Sequence, residues 1–189
     1  MLIAFNKPFG VLSQFTPDGS RWKSLEEFNF PGQVYPIGRL DAESEGLLLL
    51  SDEAGLNPIL LHPRQGHHRI YWVQVEGVPS ASALRMIEQG VMVAGRPTLP
   101  CKAWRLDPPP ALPPRQPPIR FRKIIPDSWI AMDLIEGKNR QVRRMTAAVG
   151  HPTLRLWRAQ IGRFLLTDEI APGSWRFLTP EERGSVLQH

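Results

Sequence analysis

The sequence predicts a strand-rich chain in which short buried strands support loops and only a few helices intervene. Residues 70–76 alternate, with Tyr71, Val73 and Val75 on one face and Ile70, Trp72, Gln74 and Glu76 on the other, the period of a half-buried strand. Gly46 opens an unbroken run of leucines, 47–50, which reads as a strand covered on both faces. Twenty prolines in 189 residues mark many turns and at least one long connection.

Taken in order, residues 2–5 read as a strand stopped by Asn6-Lys7-Pro8-Phe9-Gly10, and residues 11–13 as another. Asp18-Gly19 signals a turn. Ser24 followed three later by Glu27 has capping-box spacing, so a short helix is expected there, ended by Gly32. Residues 34–37 lead into Gly38-Arg39-Leu40-Asp41, a loop between two core segments, where working residues are commonly displayed. Asp52 is placed to cap a helix carrying Leu56, Ile59 and Leu60. Beyond the 70–76 strand and Gly77, Ser80 caps a helix with Leu84 and Ile87 spaced for burial, and Gly90 ends it. Residues 91–93, a turn at Ala94-Gly95 and the stretch near residues 102–104 read as a β-hairpin.

Residues 107–118 hold seven prolines in twelve positions and can be neither a helix interior nor a central strand. A long semi-rigid loop is expected, since strands resume on both sides; its exit carries Arg115, Arg120, Arg122 and Lys123. Residues 129–135 have the length and apolar content of a strand. Residues 139–149 carry Val142, Met145 and Val149 at the spacing of one helical face, and Gly150 and Pro152 end that helix. Strands near 154–156 and 164–166 complete the core, and there is no internal repeat.

Composition narrows the function classes. A net charge of +5 and a pI near 9.9 favour a polyanionic partner. Cys101 is the only cysteine, so an intramolecular disulfide is excluded and a reducing compartment is expected. Neither a secretory signal nor an apolar run of membrane-spanning length is present, and the reading is a cytoplasmic protein without membrane contact. The charge is segregated. Residues 137–163 contain seven Lys or Arg and no acid, while Asp41, Glu43, Glu45, Asp52 and Glu53 cluster in residues 41–53. Arg140, Arg143 and Arg144 fall within about one helical turn, with Arg140 and Arg144 expected as an i,i+4 pair. Their mutual repulsion makes sense if phosphates or a carboxylate supply the counter-charge.

The histidines do not form a zinc spacing, and no phosphate-binding glycine loop or GxSxG elbow occurs. Asp41, Glu43 and Glu45 leave a magnesium-dependent nuclease open as a third reading. A non-catalytic basic RNA-binding or ribosome-assembly factor is the second. The first is a carboxylate, Asp41, working on a nucleic-acid-binding surface. A carboxylate held against a guanidinium stays ionised and can attack or assist at an anomeric carbon. Reaching a base in folded RNA requires flipping it onto an aromatic, for which Tyr71 is a candidate.

Four ordered blocks, Asn6-Lys7-Pro8-Phe9-Gly10, Gly38-Arg39-Leu40-Asp41-Ala42-Glu43-Ser44-Glu45-Gly46-Leu47-Leu48, Tyr71-Trp72-Val73 and Glu136-Gly137-Lys138-Asn139-Arg140-Gln141-Val142-Arg143-Arg144-Met145, resemble the RsuA/RluB/RluE/RluF family of ribosomal RNA pseudouridine synthases. The resemblance implies an α+β fold with a mixed, largely antiparallel sheet, flanking helices and two lobes around one RNA-binding cleft, all of residues 1–189 forming one catalytic domain. It implies Asp41 as the essential aspartate, Tyr71 as the stacking residue that assists loss of the C5 proton, and Arg143 as the basic partner of Asp41. Lys7, Arg39, Arg69, Lys138, Arg140 and Arg144 are the expected RNA contacts. No cofactor and no metal are implied. Many members carry an N-terminal S4 module; here the Asn-Lys-Pro motif begins at residue 6, leaving no room for one. With the proline-rich stretch 107–118, this resembles the RluE type, whose substrate is 23S rRNA, free or in a large-subunit assembly intermediate. A monomer is expected.

Overall fold

The computed structural model describes residues 1–119 and 125–188, so Arg120, Arg122 and Lys123 of the expected basic exit lie outside the described residues. In chain order the elements are β1 (Leu2–Lys7), β2 (Tyr35–Ile37), β3 (Glu45–Ser51), α1 (Leu56–Leu61), β4 (Arg69–Glu76), α2 (Ala81–Gln89), β5 (Met92–Val93), β6 (Arg96–Pro97), β7 (Lys102–Leu106), β8 (Asp127–Leu134), α3 (Gln141–Ala148), β9 (Thr153–Ile161), β10 (Phe164–Leu165), β11 (Trp175–Phe177) and α4 (Pro180–Leu187). They divide into two compact units, Met1–Arg69 with Trp157–His189, and Ile70–Leu156.

In the first unit the strand order is β11-β1-β3-β9. β1 lies antiparallel to β3 from Leu2↔Ser51 to Lys7↔Gly46 and is flanked on its other edge by β11. β3 is shared along its second edge: Glu45 and Gly46 run parallel to Trp157 and Arg158 of β9, whereas Leu49 to Ser51 face β2. A strand paired on both edges loses its whole surface, and all seven residues of β3 are buried, as the leucine run predicts. An aromatic cluster packs beside β1, with Phe5 4.8 Å from Phe28 and 5.1 Å from Phe30, and Trp175 stacked on Phe30 at 5.6 Å. The Trp175 indole N–H donates to the Phe28 carbonyl at 2.9 Å.

Several local expectations are corrected here. Residues 11–13 form no strand: Val11 makes a single bridge with Lys23. The helix after Ser24 is one 3-10 turn, Leu25–Phe28, because Asn29 enters the left-handed region (φ 50°) before Gly32 is reached. Ser24 caps it by accepting from Glu26 N, but the Glu27 carboxylate takes Lys23 at 2.7 Å in place of closing a capping box. Asp52 does not cap α1; it binds the N-terminal ammonium, and Ile59 is 46% exposed. The reading missed β11 and α4, although Thr179 and Glu182 show the reciprocal capping box at the start of α4.

The second unit orders its strands β4-β8-β7. β4 alternates buried and half-buried residues throughout, as predicted. Ser80 caps α2 by accepting from Ala83 N, and Gly90 ends it. The hairpin is smaller than expected: β5 returns only to β6, and Lys102–Leu106 pairs with β8, from Lys102↔Asp133 to Leu106↔Trp129. The proline-rich residues 107–118 join these two antiparallel neighbours and are a loop, as expected. α3 starts at Gln141 with Val142 and Met145 buried; Arg140 precedes it at φ 51°, so Arg140 and Arg144 are not a pair on one helical face. Among the described residues no helix is long and apolar enough to cross a membrane.

Two buried details fix the start of β3. At Gly46 (φ 97°) an added Cβ would stand 2.4 Å from the Arg158 carbonyl oxygen, so only glycine allows β3 and β9 to approach. Opposite it, Lys7 is fully buried, and its Nζ donates to the carbonyls of Val11 at 2.7 Å, Pro8 at 3.0 Å and Ala42 at 3.4 Å. Desolvation pushes the Lys7 amine down to about 7; Arg158 adds to this, while Glu45 and Asp41 oppose it.

Gly46→Ala is expected to cost about 2–4 kcal/mol of stability, from strain and overlap together. It should read as a lower urea midpoint with an unchanged m-value; an unchanged midpoint would place the two backbones further apart than described. Lys7 gives a pH signature. Its folded form loses a proton near pH 7, the unfolded chain keeps it to about 10.5, and between them the unfolded state binds more protons. Stability should therefore rise with pH across that window, by at most about 1.4 kcal/mol per pH unit. Relative to Lys7→Met, the wild type should gain between pH 7 and pH 10 and show no such slope below pH 6. Parallel profiles would refute the buried amine.

Candidate active site

Asp41 sits between β2 and β3 on a loop clamped within the first unit. The Ser13 hydroxyl accepts from Leu40 N at 3.0 Å and donates to Leu40 O at 2.8 Å, holding the residue before Asp41 from both sides of its backbone. Ser44 N donates to Asp41 O at 2.9 Å, and Gly10 N donates to Ala42 O at 2.8 Å. Lys7 adds its bond to Ala42 from beneath. Leu40 and Ser44 on either side are buried and Asp41 is half-buried, so a partly accessible carboxylate stands on backbone that has little freedom to move. Glu45 and Arg158 are buried close by, with Arg158 Nε donating to Leu47 O at 2.7 Å.

Arg39 is exposed, its guanidinium 3.5 Å from Gln14 Oε1. Lys7 and Arg69 do not match the surface role expected of them. The Lys7 ammonium is shut from solvent and committed to carbonyls, and Arg69, at the start of β4, is only 4% exposed. Charge in a sequence reads as surface, and these two are interior.

In the second unit, strand alternation puts Tyr71 on the buried face of β4 with Val73 and Val75; it is 9% exposed. Arg143 lies half-buried on the first turn of α3, between buried Val142 and the exposed Arg144. Arg140 is exposed, and Arg144 reaches Asn139 Oδ1 at 3.1 Å. Lys138 is less available than expected: its Nζ is paired with Glu136 Oε2 at 3.0 Å and donates to Pro97 O at 3.0 Å.

Glu136 and Gln141 were missed by the sequence reading. Gln141 accepts from Lys138 N at 2.8 Å and donates to Glu136 Oε1 at 2.6 Å, and Glu136 Oε1 also accepts from Leu99 N at 2.8 Å. Burial pushes the Glu136 carboxyl upward, but the Leu99 N–H, Lys138 and Gln141 outweigh it and hold it below the usual range. The network fixes the turn that delivers Arg140, Arg143 and Arg144. The available signal was the spacing itself, a carboxylate and an amide five residues apart around Gly137.

Asp41, Arg39, Lys7 and Arg69 thus belong to the first unit, and Tyr71, Lys138, Arg140, Arg143 and Arg144 to the second. Among the described residues no three or more His, Cys, Asp or Glu side chains gather to hold a metal ion, so Asp41, Glu43 and Glu45 do not form the cation site considered above. Partial burial pushes the Cys101 thiol up to about 12, so this half-buried side chain is unsuited to act as a nucleophile.

Residues 1–148 match the family model described as RNA pseudouridylate synthase, a span that includes Asp41, Tyr71 and Arg143. The chain is 51% identical to ribosomal large subunit pseudouridine synthase E of Xanthomonas campestris pv. campestris, covering 93% of this chain and 94% of that one. It is 46% identical to the protein of the same name from Vibrio vulnificus, covering 93% and 74%. A solved pseudouridylate synthase structure superposes with a TM-score of 0.80 at 25% identity, over 98% of this chain and 73% of that one. The α+β fold, the mixed and largely antiparallel sheet and the motif blocks therefore agree, and the chain belongs to the RNA pseudouridylate synthase family.

Proposed function

We propose that this protein isomerises uridine to pseudouridine at a specific site in 23S ribosomal RNA. The observation that carries the reading is the 51% identity over 93% of the chain to a large-subunit pseudouridine synthase, with all four motif blocks inside the residues 1–148 that match the family model. That membership speaks against the non-catalytic assembly factor.

In the proposed reaction the C1′–N1 bond of uridine breaks, uracil rotates, and a C1′–C5 bond forms; C5 gives up its proton and N1 gains one, so atoms and charge balance without a co-reactant. Asp41 is assigned to promote glycosidic cleavage, for which a carboxylate on a clamped loop is suited: little reorganisation is needed as charge develops at the anomeric carbon. Tyr71 is assigned to stack on the base and assist loss of the C5 proton, and Arg143 to supply positive charge to the reaction. Arg39, Arg140 and Arg144 are assigned to RNA phosphates, in keeping with their exposure.

The test is tritium release from rRNA labelled at uridine C5, run with EDTA. Wild type should release tritium without strand scission; scission that EDTA blocks would indicate a nuclease, and binding without release an assembly factor. Asp41→Asn should bind RNA normally and release none, and Arg143→Ala should lose activity by at least about a hundredfold. Turnover near wild type in Asp41→Asn would remove Asp41 from its role. Arg39→Ala and Arg140→Ala should each weaken binding and reduce the log–log salt slope by about 1; unchanged slopes would move the RNA surface elsewhere.

A further inference from the structure

The segment that braces the Asp41 loop also carries an aromatic group that the reaction does not use. Residues 10–12 pair with residue 23 through Lys23 N to Gly10 O at 3.0 Å and Leu12 N to Lys23 O at 2.8 Å. This brings Trp22 over Gly10 and edge-on to Phe9, with ring centroids 5.8 Å apart. The exposed Arg21 lays its guanidinium over the Trp22 ring, 4.4 Å from the centroid. Trp22 is half-buried and the Arg21 beside it is exposed, whereas Trp175 is engaged by the rings of Phe30 and Phe177.

We propose that Trp22 and Arg21 form a stacking platform for an unpaired RNA base next to the nucleotide that Asp41 acts on. A guanidinium held over an indole adds a cationic group to an aromatic face, and an unpaired base can stack on that pair while the charge stays near the RNA backbone. The platform and the reactive loop are held in one frame, because Gly10 N donates to Ala42 O at 2.8 Å and Lys7 bonds both Val11 O and Ala42 O. Arg39 adds a second exposed cation on the same loop system, where it acts on Asp18. Positive charge, an aromatic face and proximity to the Asp41 loop together select single-stranded RNA as the occupant.

This assignment rests on the proposed activity, and the experiment separates the two. Tritium release from C5-labelled large-subunit rRNA is measured as KM and kcat for wild type, Trp22→Ala, Trp22→Phe and Arg21→Ala. Stacking on an aromatic contributes on the order of ten- to one-hundredfold in affinity. Trp22→Ala should raise KM by about that factor with kcat nearly retained, Arg21→Ala should raise it less, and Trp22→Phe should restore most of the loss. No release from wild type would refute the activity itself. Release with an unchanged KM in Trp22→Ala would refute the platform alone. A fall in kcat and in melting temperature without a KM change would make Trp22 structural and overturn the proposal; if Trp22→Ala does not fold, an unchanged KM in Arg21→Ala overturns it.

Discussion

Burying the Lys7 amine at the end of β1 is the constraint on which the first unit depends. Removing an ammonium from water is costly, and the cost shows in an amine held far below its ordinary value. What offsets it is local: carbonyls at Val11, Pro8 and Ala42, and attraction from Glu45 and Asp41. Those carbonyls come from two separate stretches of chain, so the amine can be satisfied only when residues 8–11 and residue 42 are both in place. Satisfying one buried group therefore orders the turn after β1 and the Asp41 loop together.

That coupling explains why a loop can behave like part of the core. Asp41 is reached by a turn, yet the residues before and after it are buried, and Ser13 holds Leu40 by both backbone groups. β3 begins four residues later at Glu45, and its second residue, Gly46, is a glycine that alone permits the approach of β9. Backbone closeness at Gly46 and amine burial at Lys7 are paired across the ladder, Lys7↔Gly46, so both constraints act on one rung of the sheet.

The sequence showed most clearly those elements whose burial pattern is local. β4 and β3 are legible because alternation and continuous burial each have a sequence period, and α2 because Ser80 and Gly90 mark its ends. Pairing across long separations has no such mark. Lys102–Leu106 looked like the return of a hairpin, but its partner lies beyond the proline-rich loop, in β8. Residues 11–13 had strand-like side chains and only one bridging partner. At the candidate site, motif blocks single out Asp41 and Arg143 as candidates, whereas the interior positions of Lys7 and Arg69 had no mark, since a lone cation in a sequence carries no sign of the burial that awaits it.

The same limit applies to the basic stretch 137–163, where counting charges overstates what is offered to RNA. Arg155 and Arg158 are buried and hold backbone carbonyls, Arg155 that of Pro113 in the proline-rich loop at 2.9 Å, and Lys138 is engaged by Glu136. The exposed cations of this stretch are Lys138, which is paired with Glu136, Arg140 and Arg144, with Arg163 separate on the first unit. Two arginines, Arg143 and Arg144, lie in the first turn of α3, where positive charge is unfavourable to the helix dipole, and that turn holds no acid. Gln141 and Glu136 fix the Lys138–Gln141 turn through hydrogen bonds. The start of α3 is therefore set by hydrogen bonds at the turn before it, and not by a charge pattern favourable to the helix dipole.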